Sequence, residues 1–224
     1  MDARQSSRGH RPARGAFPRG LAVAPDSSFV IGLVALLALG AGAAADPRDL
    51  PEKLDPVVTY RYYAVQGATA AELRADLSRK GPYAGKKRFD ANTSWHVSLD
   101  YERLEGEPCR PGRPRVRLVA THSLPRWDGT GPPELVACWQ SYMAALEKHE
   151  RGHLRYPLEA AEKLRERMLA IAAEPASCEE ALEAANAAWA ELRQWAKDEG
   201  RRYDLLTRHG ERQGAVFPLP GCER

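Results

Sequence analysis

With 224 residues, 43% apolar and 28% charged, the chain can bury one sizeable core and is too polar for a multi-span membrane protein. Its formal net charge of +3 comes from residues 1–45, which hold five arginines and two aspartates; the remainder carries 28 basic and 28 acidic residues. So balanced a remainder lacks the basic face that nucleic acid requires, and no nucleic-acid partner is expected.

Residues 1–28 are rich in Arg, Gly and Pro and show no hydrophobic period. Phe29–Leu39 is an apolar run of signal-peptide length, and Ala43-Ala44-Ala45 offers an A-x-A cleavage site. The expectation is a leader over 1–45 with a basic unstructured n-region, cleaved near Ala45/Asp46, and one domain over 46–224 in the periplasm or outside the cell. Retained, residues 29–45 would anchor the protein in the inner membrane, the one way a membrane becomes a partner. A translation start near Leu21 or Val23 would account for the length of the basic segment. Export also places Cys109, Cys138, Cys178 and Cys222 where disulfides persist, and their even number fits two bridges. Four cysteines allow three pairings.

Val57–Val65 (VVTYRYYAV) is β-branched and aromatic, hence a strand. Thr69-Ala70-Ala71-Glu72 is a capping box opening a short helix to about Arg79, ended by Gly81-Pro82, and Tyr83–Asn92 is a basic loop. Thr93–Leu104 alternates, with Trp95, Val97, Leu99 and Tyr101 on one face and His96 on the polar one. After a Gly/Pro-rich turn over Gly106–Pro114, Arg115–Ser123 alternates again, so the two runs read as a hairpin. His122 belongs to this strand and, like His96, has nothing to recommend it as a site residue. Leu124-Pro125-Arg126-Trp127 closes the strand.

The next helix carries Leu135, Trp139, Tyr142, Met143 and Leu146 as an apolar stripe, which continues onto His149, Glu150 and His153. These belong to His149-Glu150-Arg151-Gly152-His153, an HExxH pattern. Imidazoles four residues apart lie one turn apart on one helix face and can share a Zn²⁺, with Glu150 beside them as general base. Gly152, mid-helix, costs about 1 kcal/mol relative to Ala and implies a close approach from another group. Pro157 should kink or stop the helix near Tyr156. A second segment then runs to about Ala172, and a third helix from Cys178 to about Gly200, with Arg201–Gly214 a polar tail. The five tryptophans read as core. Strands before helices give an α+β fold: a small antiparallel sheet of about three strands packed with the HExxH helix and further C-terminal helices.

Several of these features recur together in one family. Gly81-Pro82, Trp95, Cys109, Leu124-Pro125, Trp127, Trp139, the HExxH run, Cys178, Tyr203-Asp204, Thr207, His209-Gly210 and Gln213-Gly214-Ala215 resemble the bacterial domain of unknown function 922 family, whose members are predicted secreted zinc-dependent proteases. The likeness spans roughly Tyr60 to Ala215 and implies a zincin-like domain and export. It also implies a Cys109–Cys178 bridge, with Cys138–Cys222 as an additional one.

A catalytic zinc takes three protein ligands and keeps one position open. His149 and His153 are two, and His209 is the expected third. Asp204 is the alternative, as ligand or as acceptor for an imidazole N–H. Glu174, Glu179 and Glu180 lie where some zincins place a carboxylate ligand. Tyr203 could donate its phenol to an oxyanion. The expected function is a zinc-dependent peptidase acting on a peptide or protein substrate in the cell envelope. The alternative is a non-catalytic envelope binding protein, zinc-bound or metal-free, that retains the fold.

Overall fold

A computed structural model describes residues 53–106, 109–174, 176–219 and 221–222. The leader, its cleavage site and the anchor alternative lie outside these residues. Strand β1 (Val57–Val65) leads into helix α1 (Ala70–Lys80), a short ribbon of β2 (Tyr83–Ala84) and β3 (Lys87–Arg88), and the long strands β4 (Asn92–Leu104) and β5 (Arg110–Trp127). Helices α2 (Pro133–Ala172) and α3 (Cys178–Thr207) follow, then a 3-10 turn over Glu211–Gln213. Among the described residues, no helix is long and apolar enough to cross a membrane.

The fold is α+β, with a three-stranded sheet ordered β1-β5-β4. It differs from the expected antiparallel sheet in one respect. β4 and β5 form the predicted antiparallel hairpin, but β1 lies parallel to β5, Val57 opposite Val119 and Val65 opposite Trp127. The sequence between β1 and β5, with α1 and β4 in it, acts as the long crossover that parallel pairing needs. β5 also begins earlier than expected, at Arg110, because Pro111 and Pro114 pair opposite Arg103 and Tyr101 around a register shift.

Local signals account for the helix starts. The Thr69 side chain accepts the Glu72 N–H, and Glu72 reaches back to the Ala68 N–H, one residue earlier than a standard capping box. At α3, Ser177 and Glu180 form the full reciprocal box. Two helix ends depart from expectation. α2 runs unbroken for 40 residues through Pro157. The proline removes a single hydrogen bond, to the His153 carbonyl, while its ring and Tyr156 are buried in the core, which offsets the roughly 3 kcal/mol cost of an interior proline. α3 does not stop at Gly200 but continues to Thr207, which turns the expected polar tail into a helical turn carrying Tyr203 and Asp204.

Two apolar clusters flank the HExxH turn. One joins Val65, Leu73, Leu77, Leu124 and Phe217 to the first half of α2 through Leu135, Trp139, Tyr142 and Leu146. The other joins Val97, Tyr101 and Leu118 to the second half of α2 and to Ala181, Ala185, Leu192 and Ala196 of α3. Residues 149–153 therefore lie at the seam, held rigidly from both sides. Of the five tryptophans expected in the core, Trp139 is buried, against Trp127 and Phe217; Trp95, Trp127, Trp189 and Trp195 are partly buried, packed against the two clusters. Cys109–Cys178 ties the β4–β5 connection to the start of α3, and Cys138–Cys222 ties the C-terminal tail to the start of α2. These are the pairings the family resemblance implies.

Candidate metal centre

On α2, His149 and His153 face the same way and lie beneath a cleft of about 1150 Å³, lined also by Asn92, Thr93 and Trp95 of β4 and by the end of α3. The His149 and His153 Nε2 atoms are 3.3 Å apart. Asp204 Oδ1 stands 3.3 Å from the first and 3.0 Å from the second. Such separations match the roughly 3.3 Å edge of a tetrahedron built on zinc's bonds of about 2.0–2.1 Å to imidazole and carboxylate. Among the described residues, this is the one group of His, Cys, Asp or Glu side chains close enough to share a metal ion.

The surroundings suit that use. His149 Nδ1 lies 2.9 Å from Gln213 Oε1, an acceptor, so Nδ1 carries a proton and Nε2 is the nitrogen turned toward the group. Tyr203 stacks parallel on the His149 ring at 5.1 Å and meets His153 edge-on at 5.0 Å. On the other side Gly210, at φ 86°, lies against His149, where a Cβ would come within 3.0 Å of the ring. Gly210 closes a run of three left-handed residues, Arg208, His209 and Gly210, that ends α3 and turns the chain back. The turn brings the 3-10 segment, and with it Gln213, onto α2.

Charge follows the geometry. Burial acts to raise the Asp204 pKa, but its hydrogen bonds to His149 and His153 prevail and hold the carboxyl well below its usual range. For His149 burial pulls the pKa down, and the contacts with Asp204 and Gln213 outweigh it, leaving the ring more basic than usual. Glu150, only 4% exposed, is raised by burial, an effect that a hydrogen bond from Thr93 opposes. The Thr93 hydroxyl is 2.6 Å from Glu150 Oε2, while Oε1 makes no hydrogen bond among the described residues.

Two of the expected site residues lie outside the close group. His209 is not brought into the group: its Nδ1 lies 3.6 Å from Asp204 Oδ1, the oxygen that both other histidines face, with the ring half exposed against Phe89. The left-handed turn leaves His209 on the wall of the same cleft, whereas Asp204, on the last full turn of α3, faces α2. Nor does Tyr203 offer its hydroxyl to the cleft. The phenol accepts from Gln213 Nε2 at 3.0 Å and lies near the Gln213 and His149 carbonyl oxygens at 3.3 and 3.5 Å. It braces the histidines from behind. Glu179 and Glu180 occupy the first turn of α3. Gln213, Thr93 and His122 are the site residues that reading the sequence missed. Gln213 belonged to a matching motif without an assigned role. His122 falls on the inward set that begins with Val116, Leu118 and Ala120.

A family model described as a bacterial protein of unknown function (DUF922) matches residues 60–210. The chain belongs to the DUF922 family. That span contains the His149, His153 and Asp204 group together with Glu150, so the candidate centre is part of the DUF922 domain itself. No curated protein and no solved structure matches the chain.

Proposed function

We propose that this DUF922 protein is an exported zinc-dependent hydrolase that cleaves peptide bonds in the cell envelope. The observation that carries the reading is the convergence of His149 Nε2, His153 Nε2 and Asp204 Oδ1 to within 3.3 Å, one residue from a buried glutamate. His149, His153 and Asp204 would hold the metal. The chemistry a bound zinc supplies is Lewis acidity toward water and toward a carbonyl oxygen. Glu150 takes the proton of the attacking water at Oε1 and returns it to the departing amide nitrogen. Trp95 and Asn92, on the free edge of β4, line the cleft in which an extended chain would lie. Both disulfides support export, since such bridges persist in oxidising compartments.

The test is zinc content of the purified domain, followed by hydrolysis of casein and peptidoglycan peptides by wild type and by Glu150→Gln. One zinc per chain, with turnover lost in the Gln variant, is expected. Bound zinc without hydrolysis of any peptide would leave a binding protein instead, and equal hydrolysis by the Gln variant would remove Glu150 from the mechanism.

A further inference from the structure

The register of the sheet sets three side chains in a row aimed at α2. Tyr60 of β1 pairs with His122 of β5, and His122 pairs with Thr93 of β4. Residues directly opposite one another in a sheet present their side chains on the same face. The Tyr60 ring packs against His122 at 5.3 Å, His122 Nδ1 lies 2.8 Å from Thr93 Oγ1, and Thr93 Oγ1 lies 2.6 Å from Glu150 Oε2. His122 is 1% exposed, and its Nε2 has no hydrogen-bond partner.

The direction of this chain follows from proton counting. Thr93 has one hydroxyl proton and three neighbouring polar atoms: Glu150 Oε2 at 2.6 Å, His122 Nδ1 at 2.8 Å and the Glu150 carbonyl at 3.0 Å. The contact with Glu150 Oε2 is the shortest of the three, so the threonine donates its proton there. The threonine oxygen then offers a lone pair to His122, which must bring a proton on Nδ1. Neutral His122 therefore leaves Nε2 bare, and the orphaned buried atom is a lone pair; orphaned buried N–H groups are the rarer kind. The opposite polarity would bury an unpaired N–H on Nε2 and take the Thr93 proton from Glu150.

We propose that Thr93 and His122 are positioning residues: His122, as the Nδ1–H tautomer, orients the Thr93 hydroxyl, which locks Glu150 through Oε2 and leaves Oε1 for the water. The idea rests on the hydrolase reading for its kinetic consequence. The tautomer does not, and can be observed without turnover. Thr93 sits on β4, the strand that lines the cleft, so the same sheet that seats a substrate also sets the rotamer of the base.

Thr93→Val keeps the shape and removes the hydroxyl; Thr93→Ser keeps the hydroxyl. With zinc content unchanged, Thr93→Val should lower kcat about 10- to 100-fold, as loss of a group that orients a reacting residue does. KM should stay within about twofold, and Thr93→Ser should recover most of the loss. His122→Phe, which keeps a ring of similar shape, should give a smaller fall in kcat. Nitrogen NMR of the wild-type protein should show His122 protonated on Nδ1, with that signal altered in Thr93→Val. Full activity in Thr93→Val, an equal loss in Thr93→Ser, or His122 protonated on Nε2 would each overturn the proposal. A wild-type protein without peptidase activity would sink the hydrolase reading alone, and the tautomer would still decide the network.

Discussion

The Tyr203 phenol fills the space that a side chain at Gly152 would need. A Cβ built on Gly152 overlaps the phenol oxygen and comes within 2.6 Å of the carbon that bears it. The glycine between the two histidines is thus what lets α3 close on α2 and press Tyr203 against both imidazoles.

Gly152→Ala would ordinarily strengthen a helix by about 1 kcal/mol. Here it should destabilise the fold by about 1–3 kcal/mol, because the methyl group overpacks against a held ring. Urea unfolding of Gly152→Ala, Tyr203→Leu and the double variant will measure this. The alanine should cost much less in the Tyr203→Leu background, since the opposing ring is gone.

The third ligand can be read directly from zinc binding. Asp204→Asn and His153→Ala should each reduce zinc affinity by more than tenfold, whereas His209→Ala should keep the metal at one per chain. Competition with a chromogenic chelator distinguishes the two. Loss of zinc in His209→Ala alone would return the third position to the histidine.

Gln213 holds the tautomer of His149 through Nδ1. Gln213→Leu removes the acceptor at similar volume, and zinc affinity should fall about 10- to 100-fold with the fold intact. Circular dichroism together with the same chelator titration checks both halves of that expectation.

Asp76 provides a pH signature remote from the metal. Buried at 3% exposure, it accepts the Gln66 N–H at 2.8 Å and pairs with Lys80 at 2.8 Å. The Lys80 contact, working against burial, holds its carboxyl below the usual range. A depressed folded-state pKa stabilises fully above the unfolded value of about 3.9 and is lost as pH falls through the folded one. Asp76→Asn should therefore be less stable than wild type at neutral pH, by about 1–3 kcal/mol. The gap in urea midpoint should narrow as pH drops below about 4.

Much of the fold was legible because its signals are local. β1 has the predicted limits, and the alternation in β4 and the start of α1 at Thr69 are as read. The helical i,i+4 spacing of His149 and His153 was enough to expect both imidazoles on one face, and mid-helix Gly152 pointed to a close neighbour. Less visible were the outcomes of competition between local preference and packing. Pro157 argued for a kink or a stop, and burial of its own ring keeps the helix from stopping; Gly200 looked like an end that α3 passes through.

By itself, then, the sequence determined an α+β domain and a pair of histidines aimed one way from one helix, since periodicity, capping and spacing act over a few residues. Tertiary structure alone decided that β1 runs parallel to β5, that Asp204 completes the group in place of His209, and that His122 reaches Glu150 through Thr93. Each of these depends on where α3 ends and on the register of three strands. That register is set by contacts between residues far apart in the chain, and no local pattern records them.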